Sequence, residues 1–569
     1  MRILGLSGLT GEGAAALLED GVPVAAAQEE RFTRIPRDAS FPRRAIRACL
    51  RIGRVEARAL DWVVFQEKPL RRFERVLASQ LRAFPRSAGS FASATFLWLG
   101  DRLWLRGRIA SELGVPPERV LFTEHHQAHA ASAFWPSPFE DAAVLVADGA
   151  GEWATTSLHR AGPGGLEPLG EVHFPHSLGL FVGAMAEHLG LPRGGGEARL
   201  MELAAHGRPT RRAEIDRLLR PAADGTFELD LDAFRFDFDG ERLCAAGLQR
   251  VLGPPRAAGA PLRWQAPDAA DADLAASVQS AVEERLLALA AELHRRAPSE
   301  NLCFGGDLAG NAAAVGRLIA EGPFRRVFVP PAPGDAGAAL GAALHAHRAL
   351  DGHGARWRQQ HAFLGEDALS EDGEGGQALP GEAAILDTLL ARLQHDGLVG
   401  WVRGRFEWGP RSLGHRSLLA DPGRREARDL VSRAVKRREE FRPFAPALPA
   451  ERAAEFLDVP AGAEWPARFM QACVPARDAA RAAAPAAVHA DGRARPQLVH
   501  AAEDPLFHAL LQRFGERTGA PLLLQTSLNL RGDPPVRNEA DALTLLRRSA
   551  LPALVVEDRL YLAPASSRR

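Results

Sequence analysis

The sequence predicts an α/β protein made of a duplicated unit followed by a further α/β domain, and three observations carry that reading. Residues 2–31 (RILGLSGLTGEGAAALLEDGVPVAAAQEER) read as an apolar strand, a Gly-rich turn, a second strand, a Glu-Asp-Gly turn and a third strand. Residues 142–160 (AAVLVADGAGEWATTSLHR) repeat the scheme about 140 residues later, again with helical sequence after it. At 569 residues the chain is too long for one domain. The expected layout is a first domain over 1–351, with halves of about 1–140 and 141–351 and a cleft between them. A linker over 352–382, Gly- and acid-rich with little periodicity, precedes a second domain over 383–569.

Composition narrows the function classes. Apolar residues at 46% and charged residues at 25% are ordinary values for a chain that buries substantial cores. The four cysteines, Cys49, Cys244, Cys303 and Cys473, are isolated, which argues against a disulfide framework or thiolate zinc. A net charge of −1 gives no support to nucleic-acid binding. Acidic residues appear as early as Glu12, Glu19 and Asp20, and no apolar run approaches ~18 residues, so a cytoplasmic protein without membrane association is expected.

The second domain opens on a concentration of positive charge. Trp401–Pro446 holds twelve Lys or Arg against six Asp or Glu, which reads as an anion site in a neutral chain. An apolar strand (Leu398, Val399, Trp401, Val402) leads to a Gly409-Pro410 turn. Arg411, His415, Arg416 and Ser417 follow, then a helix from about Arg424, so the turn can present side chains and N–H groups to phosphate. Only two lysines, Lys68 and Lys436, stand among 68 arginines. Lys436 therefore marks a position where a compact ammonium is not exchanged for a guanidinium.

In the first domain, VLFTEHHQAHAASAFWPSPF (120–139) predicts a strand at Val120–Phe122 and a helix that carries His125 and His129 on one face, with His126 pointing elsewhere. Asp148 ends an apolar strand, and Asp335 sits in a turn before a small-residue helix. Two imidazoles and two carboxylates suit Fe(II), Mn(II) or Zn(II) rather than a thiophilic metal. Spacing alone leaves open the alternative of exposed helix histidines and capping aspartates. Asn311 is one of four asparagines in the chain. Thr526, Ser527 and Asn529 close an apolar strand with groups suited to ligand oxygens.

GRFEWGPRSLGHRSLLADP and VKRREEFRPFAP closely resemble the carboxy-terminal half of the O-carbamoyltransferases of the NodU/CmcH/TobZ family. That pattern runs roughly G-R-x-E-x-G-P-R-A-L-G-x-R-S-I-x-x-D-P, then V-K-x-R-E-x-F-R-P-F-A-P. Further blocks match in order along nearly the whole chain: Glu29-Glu30-Arg31-Phe32-Thr33, His176–Leu180, Arg199–Ala204, residues 301–318 and residues 519–536. The resemblance implies a duplicated actin-like (ASKHA, RNase H-like) domain followed by a YrdC-like α/β domain. It further implies that carbamoyl phosphate and ATP, the latter with Mg, give carbamoyl adenylate in the second domain, and that a hydroxyl of a small secondary metabolite of sugar or polyketide type takes the carbamoyl group in the first. By position, Arg411, Lys436 and Arg442 would act on the reacting phosphates. Arg495, Arg416, Ser527, Asn529, Thr526, Asn311, Gly149 and Gly151 would bind substrate and nucleotide. His125, His129, Asp148 and Asp335 would hold Fe(II), with Zn or Mn as alternatives, and a homodimer is an open expectation.

Several positions depart from the family pattern. Gly11-Glu12 replaces a usual His-Asp, Glu202 stands where Gly is usual, Asp307 interrupts a double glycine, and Gln525 replaces Asn. Glu12, or else His206, is the expected substitute for the missing histidine as a base. These changes motivate the alternative of a non-catalytic or half-active paralogue that binds nucleotide and supports a partner enzyme.

Overall fold

The computed structural model describes residues 1–239, 242–351, 356–369, 375–424 and 426–563. Strands β1 (Arg2–Ser7), β2 (Ala14–Glu19) and β3 (Val22–Gln28) form an antiparallel meander. β4 (Trp62–Phe65) and β5 (Val120–Phe122) extend it in parallel from β1, giving the order β3-β2-β1-β4-β5. The second half repeats this path. β6 (Ala142–Ala147), β7 (Ala154–Gly162) and β8 (Gly165–His173) are antiparallel neighbours, and β9 (Asn301–Gly305) and β10 (Arg326–Phe328) continue in parallel from β6. Two sheets with one topology in one chain are the duplicated actin-like arrangement. The central strands are buried on both faces, which is why β1 and β6 are near-continuous apolar runs.

Each sheet's fifth strand feeds a helix, His125–Phe134 after β5 and Asp335–Asp351 after β10, and the two helices pack on each other between the sheets. Their contact faces are alanine and glycine. A Cβ on Gly341 would lie 1.9 Å from the Ala128 carbonyl oxygen, so only glycine permits this approach. The duplication thus brings two helix starts to one point at the interface of the halves.

The C-terminal part is an eight-stranded mixed sheet. In chain order its strands are β11 (Gln377–Ala378), β12 (Leu398–Val402), β13 (Arg416–Ala420), β14 (Ala445–Pro449), β15 (Gln497–Val499), β16 (Leu523–Ser527), β17 (Ala553–Val556) and β18 (Arg559–Leu562). Their order across the sheet is β11-β18-β17-β12-β13-β16-β14-β15. Between β13 and β14 runs the helix Ala427–Val431 and one π-helical turn, Ser432–Lys436, which ends at Arg437 in the left-handed region (φ 44°).

Part of the expected linker, 352–355 and 370–374, lies outside the described residues. Residues 356–369 do not behave as a loose spacer. Gln359, Ala362, Leu364 and Ala368 are buried. Arg356 donates to the carbonyls of Trp135 (2.6 Å), Phe134 and Phe139, and Arg405 reaches back from the C-terminal part to the carbonyls of Val24, Leu364 and Gly365. The apolar anchors in this Gly- and acid-rich stretch lack a period, so pattern reading misses them. Among the described residues no helix is long and apolar enough to cross a membrane.

Candidate functional site

The four residues expected to ligate a metal converge. His125 and His129 lie one turn apart on the first of the packed helices, Asp335 begins the second, and Asp148 follows β6. His125 Nε2 lies 3.0 Å from Asp148 Oδ2, 3.1 Å from His129 Nε2 and 3.4 Å from Asp335 Oδ1, and His129 Nε2 is 3.6 Å from that same oxygen. Donor atoms on a single ion with bonds of about 2.1 Å stand about 3.0–3.4 Å apart at octahedral to tetrahedral angles. The three spacings from His125 fit that range, and the His129–Asp335 spacing of 3.6 Å lies just beyond it. Asp335 Oδ1 is buried without a hydrogen-bond partner, as one cation between these groups would require. Burial alone would lower the His125 pKa, but the Asp148 hydrogen bond and the charges of Asp335 and Glu152 raise it to about 9. His126 turns away, as expected, to Ser157 Oγ at 2.9 Å.

Two supports of this cluster have no signature in the residue pattern. Glu152 accepts from the backbone N–H of His125 (3.0 Å) and of Lys68 (2.7 Å), capping the histidine helix from across the domain. Arg37 donates to Glu12 Oε1 at 2.7 Å and lies 3.7 Å from Asp307. Burial raises the carboxyl pKa of both Glu12 and Asp307, against the pull of Arg37. Gly11 lies against the cluster, where a Cβ would fall 1.4 Å from Asp335 Oδ2. Gly149 lines the adjoining cleft, whereas Gly151 packs behind it, where a Cβ would meet His126 and His125 at 3.0 and 3.1 Å.

The basic stretch builds a second centre. Lys436 Nζ donates to Ser527 Oγ (3.1 Å), to the Ser527 carbonyl and to Asn529 Oδ1, and Ser527 Oγ also donates to Asn529 Oδ1 at 2.7 Å. Burial, with Arg438 and Arg442 nearby, lowers the Lys436 pKa well below its ordinary value. Burial and the mutual repulsion of the guanidinium groups bring Arg411 and Arg438 each to about 9. Thr526 precedes Ser527 on β16 and is partly buried.

Glu202, from the first domain, enters this centre and accepts from Arg442 Nε at 2.5 Å. Burial would raise its pKa, but Arg442, Arg438 and Arg495 bring it down to about 2. The two centres share one short turn, Asp307–Gly310. The Asp307 N–H donates to Asp148 Oδ1 at 3.0 Å, and the Gly310 carbonyl accepts from Arg411 Nη2 at 3.1 Å.

Three expected contacts are used differently. Arg416, proposed from sequence to bind substrate, is fully buried and gives all five N–H bonds to the carbonyls of Arg537, Arg403, His415, Glu366 and Gly404. That leaves it no donor for a phosphate, so its place is structural. Asn311 caps the helix Ala312–Glu321 by accepting from Ala314 N and exchanges amide hydrogen bonds with Gln279, at 2.9 and 3.1 Å. It holds the shared turn rather than facing a ligand. His206 lies 3.0 Å from the Phe441 carbonyl at the interdomain face and does not take the place of the missing histidine.

The fold and these centres define a two-part α/β protein in which a metal-type cluster and a buried cationic centre meet across one turn. The carbamoyltransferase N-terminus model matches residues 2–344 and the carbamoyltransferase C-terminus model residues 390–562. The chain belongs to the carbamoyltransferase family. It is 37% identical over 612 residues to the uncharacterized protein sll1178 of Synechocystis, covering 100% of this chain and 98% of that one. It is 34% identical over 561 residues to the nodulation protein NolNO of Sinorhizobium fredii, covering 96% and 78%. It is 32% identical over 287 residues to a 3'-hydroxymethylcephem-O-carbamoyltransferase of Streptomyces clavuligerus, covering 50% and 53%. Among solved structures, HypF of T. kodakarensis aligns with 62% of this chain and 48% of its own, at 15% identity and a TM-score of 0.34.

Proposed function

We propose that the protein is an ATP-dependent O-carbamoyltransferase that forms carbamoyl adenylate at the Lys436 centre and transfers the carbamoyl group at the histidine–aspartate cluster. The observation that carries this reading is the turn Asp307–Gly310, which touches Asp148 at one end and Arg411 at the other. Two half-reactions that share an unstable acyl-adenylate need adjacent sites, and this turn makes them adjacent.

Chemically, water and carbamoyl phosphate give carbamate and phosphate. A carbamate oxygen then displaces pyrophosphate from the α-phosphorus of ATP, bound with magnesium, to give carbamoyl adenylate. An acceptor oxygen attacks its carbonyl carbon, forming the carbamate ester and releasing AMP and the hydroxyl proton. Arg411, Arg442 and Arg495 offset the charge of two phosphorylated substrates. Lys436, held among Ser527 and Asn529, places a compact charge where the carbamoyl and α-phosphoryl groups meet. His125, His129, Asp148 and Asp335 would hold Fe(II), with Zn(II) and Mn(II) suiting the same donors. When bound, that ion supplies Lewis-acid stabilisation of charge on the adenylate. Glu12, whose pKa burial raises against the pull of Arg37, is held by that arginine as the base for the acceptor proton. The acceptor is the hydroxyl of a small secondary metabolite.

The altered positions do not empty either centre, since Glu202 pairs with Arg442 and Asp307 lies beside Arg37. The motive for a non-catalytic paralogue is therefore weak. The test is pyrophosphate release from ATP by purified protein, with and without carbamoyl phosphate, in the absence of acceptor. Release is expected only with carbamoyl phosphate and is lost in Lys436→Ala. A folded, metal-loaded protein that releases none would overturn the reading.

A further inference from the structure

The histidine–aspartate cluster lies at the floor of a cleft of ≈ 960 Å³ between the halves of the first domain. That volume is at the upper end of the roughly 300–1,000 Å³ typical of small-molecule sites. One wall is the helix Ala88–Gly100 (AGSFASATFLWLG), which has no charged residue. Its residues Gly89, Ser90, Ser93, Ala94 and Leu97 share one helical face and line the cleft. Four of the five are small, so a ligand can lie close along the helix axis. The facing wall carries Phe174, Leu180, Phe236, Phe238 and Leu243, with the charged Arg235, Asp237 and Asp239 between them. At the lip, Leu97 is 49% exposed and Phe96, flanking it, is 77% exposed. Isolated exposed apolar residues are ordinary, but Leu97 belongs to a helical face that lines the same cleft as the polar cluster. Away from the cluster, the four arginines that line the cleft, Arg72, Arg75, Arg86 and Arg235, outnumber the two aspartates, Asp237 and Asp239. The guanidinium groups of Arg75 and Arg86 sit over Phe174 and Phe238 at 4.4 and 5.1 Å. Such a rim does not suit a polycationic acceptor.

Resting on the reading of this cleft as the transfer site, we propose that the acceptor has an uncharged or acidic apolar body, which lies between the helix Ala88–Gly100 and the Phe174–Phe236–Phe238 wall and directs its hydroxyl to the cluster. The proposal chooses within the range of sugar and polyketide acceptors: a hydroxylated ring with an apolar extension fits, and a bare or polyamino sugar does not.

The experiment compares n-octyl β-glucoside, kept below its micelle concentration, with methyl β-glucoside by calorimetric titration into the full-length protein, for wild type and Ser93→Trp. Ser93 is exposed, so the indole fills the cleft without touching the core. The octyl compound is expected to bind about 50-fold more tightly than the methyl compound, the effect of burying about three of its additional methylenes, and this advantage disappears in Ser93→Trp. Equal affinities for the two glucosides overturn the proposal, as does an octyl preference that survives in Ser93→Trp. Pyrophosphate release without acceptor is measured on the same preparation. Its absence defeats the carbamoyl-transfer reading, whereas its presence together with equal glucoside affinities defeats only the apolar acceptor.

Discussion

Replacing Glu202 by glutamine tests the electrostatic account of the interdomain centre. Glu202 is 6% exposed, and among the described residues it accepts hydrogen bonds from Arg442, at 2.5 and 3.4 Å. A carboxyl lowered from 4.5 to about 2 contributes about 3 kcal/mol to folding at neutral pH. Removing one partner of a buried ion pair costs about 3–5 kcal/mol, so the two routes agree. The sign follows from the lowered pKa. The contribution is complete above about 4.5 and is lost as pH falls from there through about 2. Glu202→Gln should therefore lower the unfolding free energy by about 3 kcal/mol at pH 7, and the gap from wild type should narrow below pH ~4.5. Denaturant unfolding followed by tryptophan fluorescence, at neutral and acid pH, measures it. Inorganic phosphate or pyrophosphate should stabilise the variant more than the wild type, because the added anion takes the place of the carboxylate among the arginines. The reasoning is refuted by a variant within about 1 kcal/mol of wild type at pH 7, or by a deficit that does not change with pH.

Lys436→Arg should reduce carbamoyl-phosphate-dependent pyrophosphate release by about 100-fold, because a planar guanidinium cannot occupy the space among Ser527 Oγ, the Ser527 carbonyl and Asn529 Oδ1; steady-state release rates check this. Arg416→Ala removes five hydrogen bonds at about 1 kcal/mol each and should give an unstable or insoluble chain, whereas Arg495→Ala should remain folded by thermal melt and lose pyrophosphate release. Gly11→Ala places a methyl group at the Asp335 carboxylate and should reduce bound metal from about one ion per chain, measured by elemental analysis of protein purified without chelator.

What could be read from the sequence was local. The strand–turn–strand openings have period and turn chemistry of their own, so β1–β3 and β6–β7 fall where the pattern puts them. His125 and His129 are four apart on one helix, and a spacing of that kind survives folding. That Asp148 and Asp335 join them depends on the packing of two helix starts, which the family resemblance suggested and residue patterns alone left open. The fates of Arg416 and Asn311 were hidden because both lie in segments rich in functional residue types, while their roles are set by distant carbonyls and amides. Arg537 is 121 residues from Arg416, and Gln279 is 32 from Asn311. Glu202 was visible only as a departure from pattern, since its partner Arg442 is 240 residues away. The packed segment 356–369 was hidden by composition: glycine and acidic residues dominate the stretch around it, but a few apolar side chains fix it.

The same geometry explains why a neutral chain can contain so cationic a centre. Lys436 is buried with the half-buried Arg411, Arg438 and Arg442 near it, which is unfavourable unless negative charge joins them. Glu202 supplies one carboxylate, and it comes from the other domain, so assembling the centre and docking the domains are one energetic event. Burial is the largest cause of the lowered pKa values of Lys436, Arg411 and Arg438, and repulsion from the neighbouring guanidinium groups adds to it. An anion that enters the centre offsets the repulsive part of those shifts. On the proposed function, a substrate pair carrying several phosphoryl groups would supply more negative charge to this centre than the one carboxylate of Glu202 can.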